Sequence, residues 1–284
     1  MNGSAETNIT LEPARVLLGW MDTEDALHAQ HGGVADVETS EADRERLRIA
    51  RERVAARRVG IDQRNLITPV PGTLVPYMND LRRHPVTEKL LAEGWAPSVV
   101  DLRRLCAFQP RVFTHQADQR ISTVDPGDLA SLAAVSLPMP GTTTAPACFD
   151  PARNAWIMTS SDPNLRVTGN FRQPMGTQVG FGFALSLGSS FLSVIQHAGR
   201  YFLADGYHRA VAFLQRGITH VPAMTHTIPD GEPFQLPSGM LPPTAYHGDR
   251  PPQLTDFFAA DVSIAVHLPV FRRIIIIQAL EVMA

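Results

Sequence analysis

The stretch "QVGFGFALSLG", residues 178–188, alternates large apolar and small residues with a period of two. Val179, Phe181, Phe183, Leu185 and Leu187 fall on one side, and Gly180, Gly182, Ala184, Ser186 and Gly188 on the other. That period predicts a strand whose large side chains enter a core. The small side would let another backbone, a helix or a ligand come close. The following "SFLSVIQHAGRYFLAD" predicts a hairpin that turns at His197–Arg200. "RYFLADGYHRAVAFLQRGITHVPAM", residues 200–224, then predicts a strand, a turn at Asp205–Gly206, a short helix, a stop at Gly217 and a second strand. Val211 and Leu214 face the core of that unit, and Pro222 marks its last strand as an edge. Together these segments predict one mixed sheet over residues 178–226 with a helix packed on it.

Helical spacing dominates earlier in the chain. Leu47, Ala50, Val54 and Ile61 follow it after Ser40 and Asp43, an S-x-x-D cap, so a helix is expected over 41–59 with Gly60 as its stop. Its other face mixes arginines with Glu41, Glu45 and Glu52, the pattern of a solvated surface and not of a nucleic-acid stripe. Residues 1–38 carry weak periodicity. Prolines punctuate 65–98 into short helices, one near Val86–Glu93, and residues 99–113 predict an extended entry followed by a turn. Residues 138–151 contain four prolines and predict a loop or insertion. Seven prolines in the 24 positions from 229 to 252 predict a linker or wrapping arm open to proteases, before apolar periodicity returns over 253–284.

These patterns divide the chain into a largely helical extension (1–98), an α+β core with a small mixed sheet and packed helices (99–228), a proline-rich linker (229–252) and a C-terminal segment that packs back on the core (253–284). With 284 residues the chain can bury a core without staples. An apolar content of 44% against 19% charged places it among soluble globular proteins. The net charge of −3 offers no field to recruit nucleic acid or an anionic membrane. Cys106 and Cys148 form no C-x-x-C pair, and "MNGSAETNIT" lacks the pattern of a secretory signal, so the cytoplasm is the expected location. The apolar run Ile274–Ile277 is far too short to span a bilayer.

Candidate chemistry concentrates where the strand becomes a helix. Asp205 suits an N-cap, because a carboxylate there accepts first-turn N–H groups. Gly206 lets the backbone approach whatever sits above the turn. His208 and Arg209 put basic groups in a first helical turn, where the positive end of the dipole disfavours them by roughly 0.3–1 kcal/mol each. An anion shared between them and the free N–H groups removes that conflict. The alternative is that Asp205 neutralises Arg209 and nothing binds. His220 and His226 share parity on a strand but are too few for a zinc site. No metal site is expected.

"YFLADGYHRAVAFLQRGITHVPA" resembles the core motif of the ParB/sulfiredoxin-like superfamily: a strand, a D-G-x-H-R turn, an alanine-rich helix, a glycine and a closing V-P-A strand. "SFLSVIQHAGR" fits the hairpin strand before it, and "VVDLRRLCAFQPRV" resembles the family's opening segment. The resemblance implies a nucleotide's phosphates, or DNA-related chemistry, at the helix start. By position it makes Gly206, His208 and Arg209 phosphate contacts, with Tyr207 lining the site. Asp205 becomes a cap, a base or a carboxylate beside a metal, and Asp205 and His208 are the candidate catalytic residues. The cofactor is left open, with a nucleotide and Mg²⁺ as the implied pair. Three departures narrow the activity. Tyr207 stands where sulfiredoxin chemistry needs a cysteine. No helix-turn-helix region follows the core, as it does in chromosome-partition ParB proteins. The glutamates of the members that phosphorylate free serine have no counterpart. Three functions therefore compete: binding of a nucleotide or other phosphate-bearing ligand with hydrolysis or phosphoryl transfer, a DNA-associated adaptor or nuclease, and an interaction protein that kept the fold.

Overall fold

A computed structural model describes residues 10–33, 38–139, 147–160, 165–187, 190–229, 231–232, 234, 236, 238–270 and 273–278. Most of the proposed signal-free N-terminus and the centre of the 138–151 loop lie outside the described residues. The fold is α+β. In chain order the first half holds β1 (Leu11–Val16), α1 (Thr23–Gln30), α2 (Glu41–Ala55), β2 (Ile67–Thr68), α3 (Val75–Arg82), α4 (Pro85–Ala92), β3 (Ala96–Asp101), β4 (Arg111–Phe113), α5 (Thr114–Arg120) and α6 (Leu129–Ser136). Then come β5 (Ala147–Asp150), β6 (Ala155–Ser160), β7 (Leu165–Met175), β8 (Gln178–Leu187), β9 (Ser193–His197), β10 (Arg200–Asp205), α7 (Tyr207–Gln215), β11 (His220–Thr227), α8 (Pro243–Tyr246), β12 (Ile264–Pro269) and β13 (Arg273–Gln278).

The chain divides into two compact units, residues 1–139 with 191–269 and residues 140–190 with 270–284. This division cuts across the 99–228 and 253–284 segments. The larger unit contains a five-stranded mixed sheet in the order β10-β9-β11-β3-β2 and a three-stranded antiparallel sheet in the order β12-β1-β4. In the mixed sheet β11 pairs parallel with β9 and antiparallel with β3. Its main core contains Phe202, Leu203, Val211 and Phe213 from the strand–helix unit, with Leu105 and Val112 from the segment after β3.

Local chemistry explains the elements. Ser40 and Asp43 form a reciprocal capping box at the start of α2, as its S-x-x-D pattern predicts. The β9–β10 turn is made by Ala198 (φ 49°) and Gly199 (φ 71°), two left-handed residues that match the twist of a tight hairpin. Pro222 does not mark an edge, because β11 lies inside the sheet. It is tolerated because pairing with β9 starts only at Met224, so at Pro222 the strand has β3 alone beside it. Pro13 uses the same device in β1, opposite His267 but ahead of the first β4 pair at Ala14. β1 itself lies in the stretch of weak periodicity.

The single sheet expected over 178–226 does not form. β8 pairs only with β7, in a two-stranded hairpin within the smaller unit, while β9, β10 and β11 belong to the larger one. Nor does its apolar face enter a core: Val179 is 64% and Phe181 60% exposed. The small face is covered from the partner strand, with the Phe171 ring over Gly182 and the Met175 sulfur 2.9 Å from where a Cβ on Gly180 would stand. The smaller unit also holds the sheet β13-β6-β5.

In the proline-rich segment, residues 238–252 pack against the rest of the larger unit. Leu241 and Tyr246 are buried, the Leu241 N–H donates to the Phe108 carbonyl at 2.7 Å, and Arg200 donates to the carbonyls of Tyr246 and Gly248. Leu241 and Tyr246 anchor this stretch between the prolines, as in the wrapping arm that its composition allowed beside a linker. The end of the chain divides, with β12 pairing with β1 and β13 with β6.

Candidate functional site

β10 delivers the chain to the start of α7, and Gly206 makes the turn with φ at 94°, a left-handed conformation that glycine adopts without strain. Gly206, not Asp205, is the cap residue, and as a glycine it has no side chain to cap the helix with. The Asp205 carboxylate accepts the Gly206 N–H at 2.6 Å. The first helical bond runs from the Ala210 N–H to the Gly206 carbonyl, leaving the N–H groups of Tyr207, His208 and Arg209 ahead of it.

Tyr207 does not line the site. Its side chain is buried in the core and its hydroxyl accepts the Phe108 N–H at 2.9 Å. Burial pushes its phenol well above the usual range. Arg209 is also buried, at 4% exposure. Its Nη1 donates to the Val135 carbonyl in the last turn of α6 at 2.9 Å, and its Nη2 lies 3.2 Å from where a Cβ on Gly206 would stand. Its Nε has no partner. Burial lowers the guanidinium to about 10, against the attraction of Asp205, so it stays cationic at neutral pH.

His208 stacks on Phe113 with ring centroids 6.1 Å apart, and its Nε2 is buried without a partner. Burial first, then the charges of Arg120 and Arg209, lower the ring to about 4. It is therefore neutral at pH 7, so of the two roles expected of it, donating when protonated or pairing with a ligand through one ring nitrogen, the second is the one its charge state suits. A cationic charge beside it comes from Arg120, which sequence reasoning missed. Arg120 ends α5, is exposed, and acts electrostatically on both His208 and Arg209. Eighty-eight residues separate it from His208, and no local pattern in "THQADQR" announces the approach.

The arrangement joins a helix start with glycine at its cap, two guanidinium groups, an unpartnered imidazole nitrogen and the exposed carboxylate of Asp205. Such a cluster stabilises an anion, because helix N–H groups and cations act together on it. Among the described residues no group of three or more potential ligands could hold a metal ion. His220 and His226 do not form a site together: the first lies near Asp101, and the second stacks on Trp95. No helix among the described residues is long and apolar enough to cross a membrane. No family model, curated protein or solved structure matches the chain.

Proposed function

We propose that the chain is a ParB/sulfiredoxin-like domain that binds a nucleotide or another phosphate-bearing ligand at the start of α7. The observation that carries this reading is Arg209: a buried guanidinium beside Gly206 whose Nε lacks a partner, at the start of a helix whose cap residue is glycine. A buried unsatisfied donor costs about 1–3 kcal/mol, which a phosphate oxygen would recover. In this reading Arg209 and the first-turn N–H groups hold the phosphate, Arg120 adds charge from solvent, and neutral His208 donates or accepts through Nε2. Asp205 is the one carboxylate at the mouth. Asp205 would face a Mg²⁺ carried in on the nucleotide, which would supply charge to the phosphates, and hydrolysis or phosphoryl transfer would depend on that carboxylate.

Calorimetric titration with ATP, CTP and GTP, with and without Mg²⁺, tests the binding. Arg120→Ala should weaken it about tenfold, the scale of one charge-assisted contact, while leaving the melting temperature unchanged because Arg120 is exposed. Absence of saturable binding by any of the three sinks the reading. Phosphate release lost in Asp205→Asn, with binding retained, would assign turnover to Asp205. A second reading, an interaction protein, is favoured by the exposed apolar face of the β7–β8 hairpin, since such patches mark contact surfaces. Sedimentation of Phe181→Ser against wild type tests self-association through it.

A further inference from the structure

A cavity of about 310 Å³ opens on one face of the mixed sheet, at the opposite end of β10 from Asp205. Strand register defines its floor. Tyr201 on β10 pairs with Gln196 on β9, and Gln196 pairs with Thr227 on β11, so three polar side chains stand in one row across three strands. The next row on the same face is Val194, Thr225 and Ala96. Adjacent strands are about 4.8 Å apart and rows about 7 Å, so the two rows outline a patch roughly 10 by 7 Å.

The rows differ in what they offer. The Thr225 hydroxyl already donates to the Ala96 carbonyl at 3.0 Å and lies 3.1 Å from the Ser98 hydroxyl, so its row presents an apolar surface. In the other row the Thr227 hydroxyl donates to Gln196 Oε1 at 3.2 Å, while Gln196 Nε2 and the Tyr201 hydroxyl have no partner among the described residues. His226 lies between Thr225 and Thr227 on β11, so its side chain turns to the opposite face, where it stacks on Trp95, and the cavity is bordered instead by Ile67 and Gly94. No lining residue is Lys, Arg, Asp or Glu, so a charged ligand would lose its hydration there without compensation.

We infer that this cavity binds a neutral, flat heterocycle of nucleoside size, laid over Thr225 and Ala96, with acceptor atoms along one edge toward Gln196 and Tyr201. The inference is independent of the α7 site, which takes an anion.

Adenosine and uridine, which carry no phosphate, are the probes, with methyl glucoside as a non-planar control. Saturation-transfer NMR and calorimetry on the full chain should show saturable binding of at least one nucleoside and none of the glucoside. Gln196→Leu and Tyr201→Phe should each weaken it at least fivefold, and Arg120→Ala should leave it unaltered. Thr227→Val, at an exposed position, guards against misfolding: it removes the hydroxyl that orients the amide and should weaken binding at least twofold. No saturable nucleoside binding, equal binding of the glucoside, or indifference to Gln196→Leu and Tyr201→Phe would each overturn the assignment.

Discussion

His208 has the site's most informative titration. Its folded-state value of about 4 lies below the ordinary imidazole value, so folding favours the neutral ring. The contribution is complete above pH about 6.5 and is lost as pH falls toward 4, by up to about 3 kcal/mol. Urea midpoints of wild type should therefore fall faster than those of His208→Gln between pH 6.5 and 4. An anion at the helix start opposes the two arginines and raises the same group. Binding of a phosphate-bearing ligand should then tighten from pH 7 to pH 5, and the trend should vanish in His208→Gln. Gly206 makes a second residue-scale prediction. A side chain there meets the Leu192 Cα at 3.2 Å and must adopt φ near 94°. Gly206→Ala should lower stability by about 1–3 kcal/mol, read as a shift of the denaturation midpoint without a change in slope.

Elements whose signals are local were legible in the sequence. The α2 cap, the β9–β10 turn, the α7 helix and its stop at Gly217 each follow from residues within a few positions. Ser40→Ala should accordingly cost about 1 kcal/mol, measured as a loss of thermal stability, because it removes one half of the capping box. What pairs with what was not legible. The period of β8 predicted a strand, but period two does not say whether the large side is covered, and here it faces solvent. β1 was hidden because its strand character comes from β12 and β4, whose sequences lie far away. The site divides in the same way. Gly206 and Arg209 were found from the turn motif, whereas the burial of Tyr207 and the approach of Arg120 depend on packing between distant segments.

At the scale of the whole molecule, residues 140–190 of the smaller unit are inserted between α6 and β9, yet the larger unit continues across the gap. The Leu192 N–H donates to the Ser136 carbonyl at 2.7 Å, so the chain leaves the larger unit and re-enters it at neighbouring points. A short closure there has a small entropic cost, since loop closure grows only slowly with length. Residues 140–190 and 270–284 carry none of the strands of the mixed sheet, no part of α7 and neither arginine of the site. They do carry most of the large apolar side chains that face solvent, among them Trp156, Phe171, Phe181 and Ile274. A chain in which a short glycine–serine link replaces 140–190, and which ends at residue 269, should therefore fold. It should unfold in one cooperative transition, be more soluble than the full chain, and bind nucleotide with unchanged affinity if the α7 site is as proposed. Calorimetry gives both the transition and the affinity. A chain that folds but loses nucleotide binding would place part of the site in the smaller unit, and one that fails to fold would show that the larger unit depends on contacts its own core does not supply.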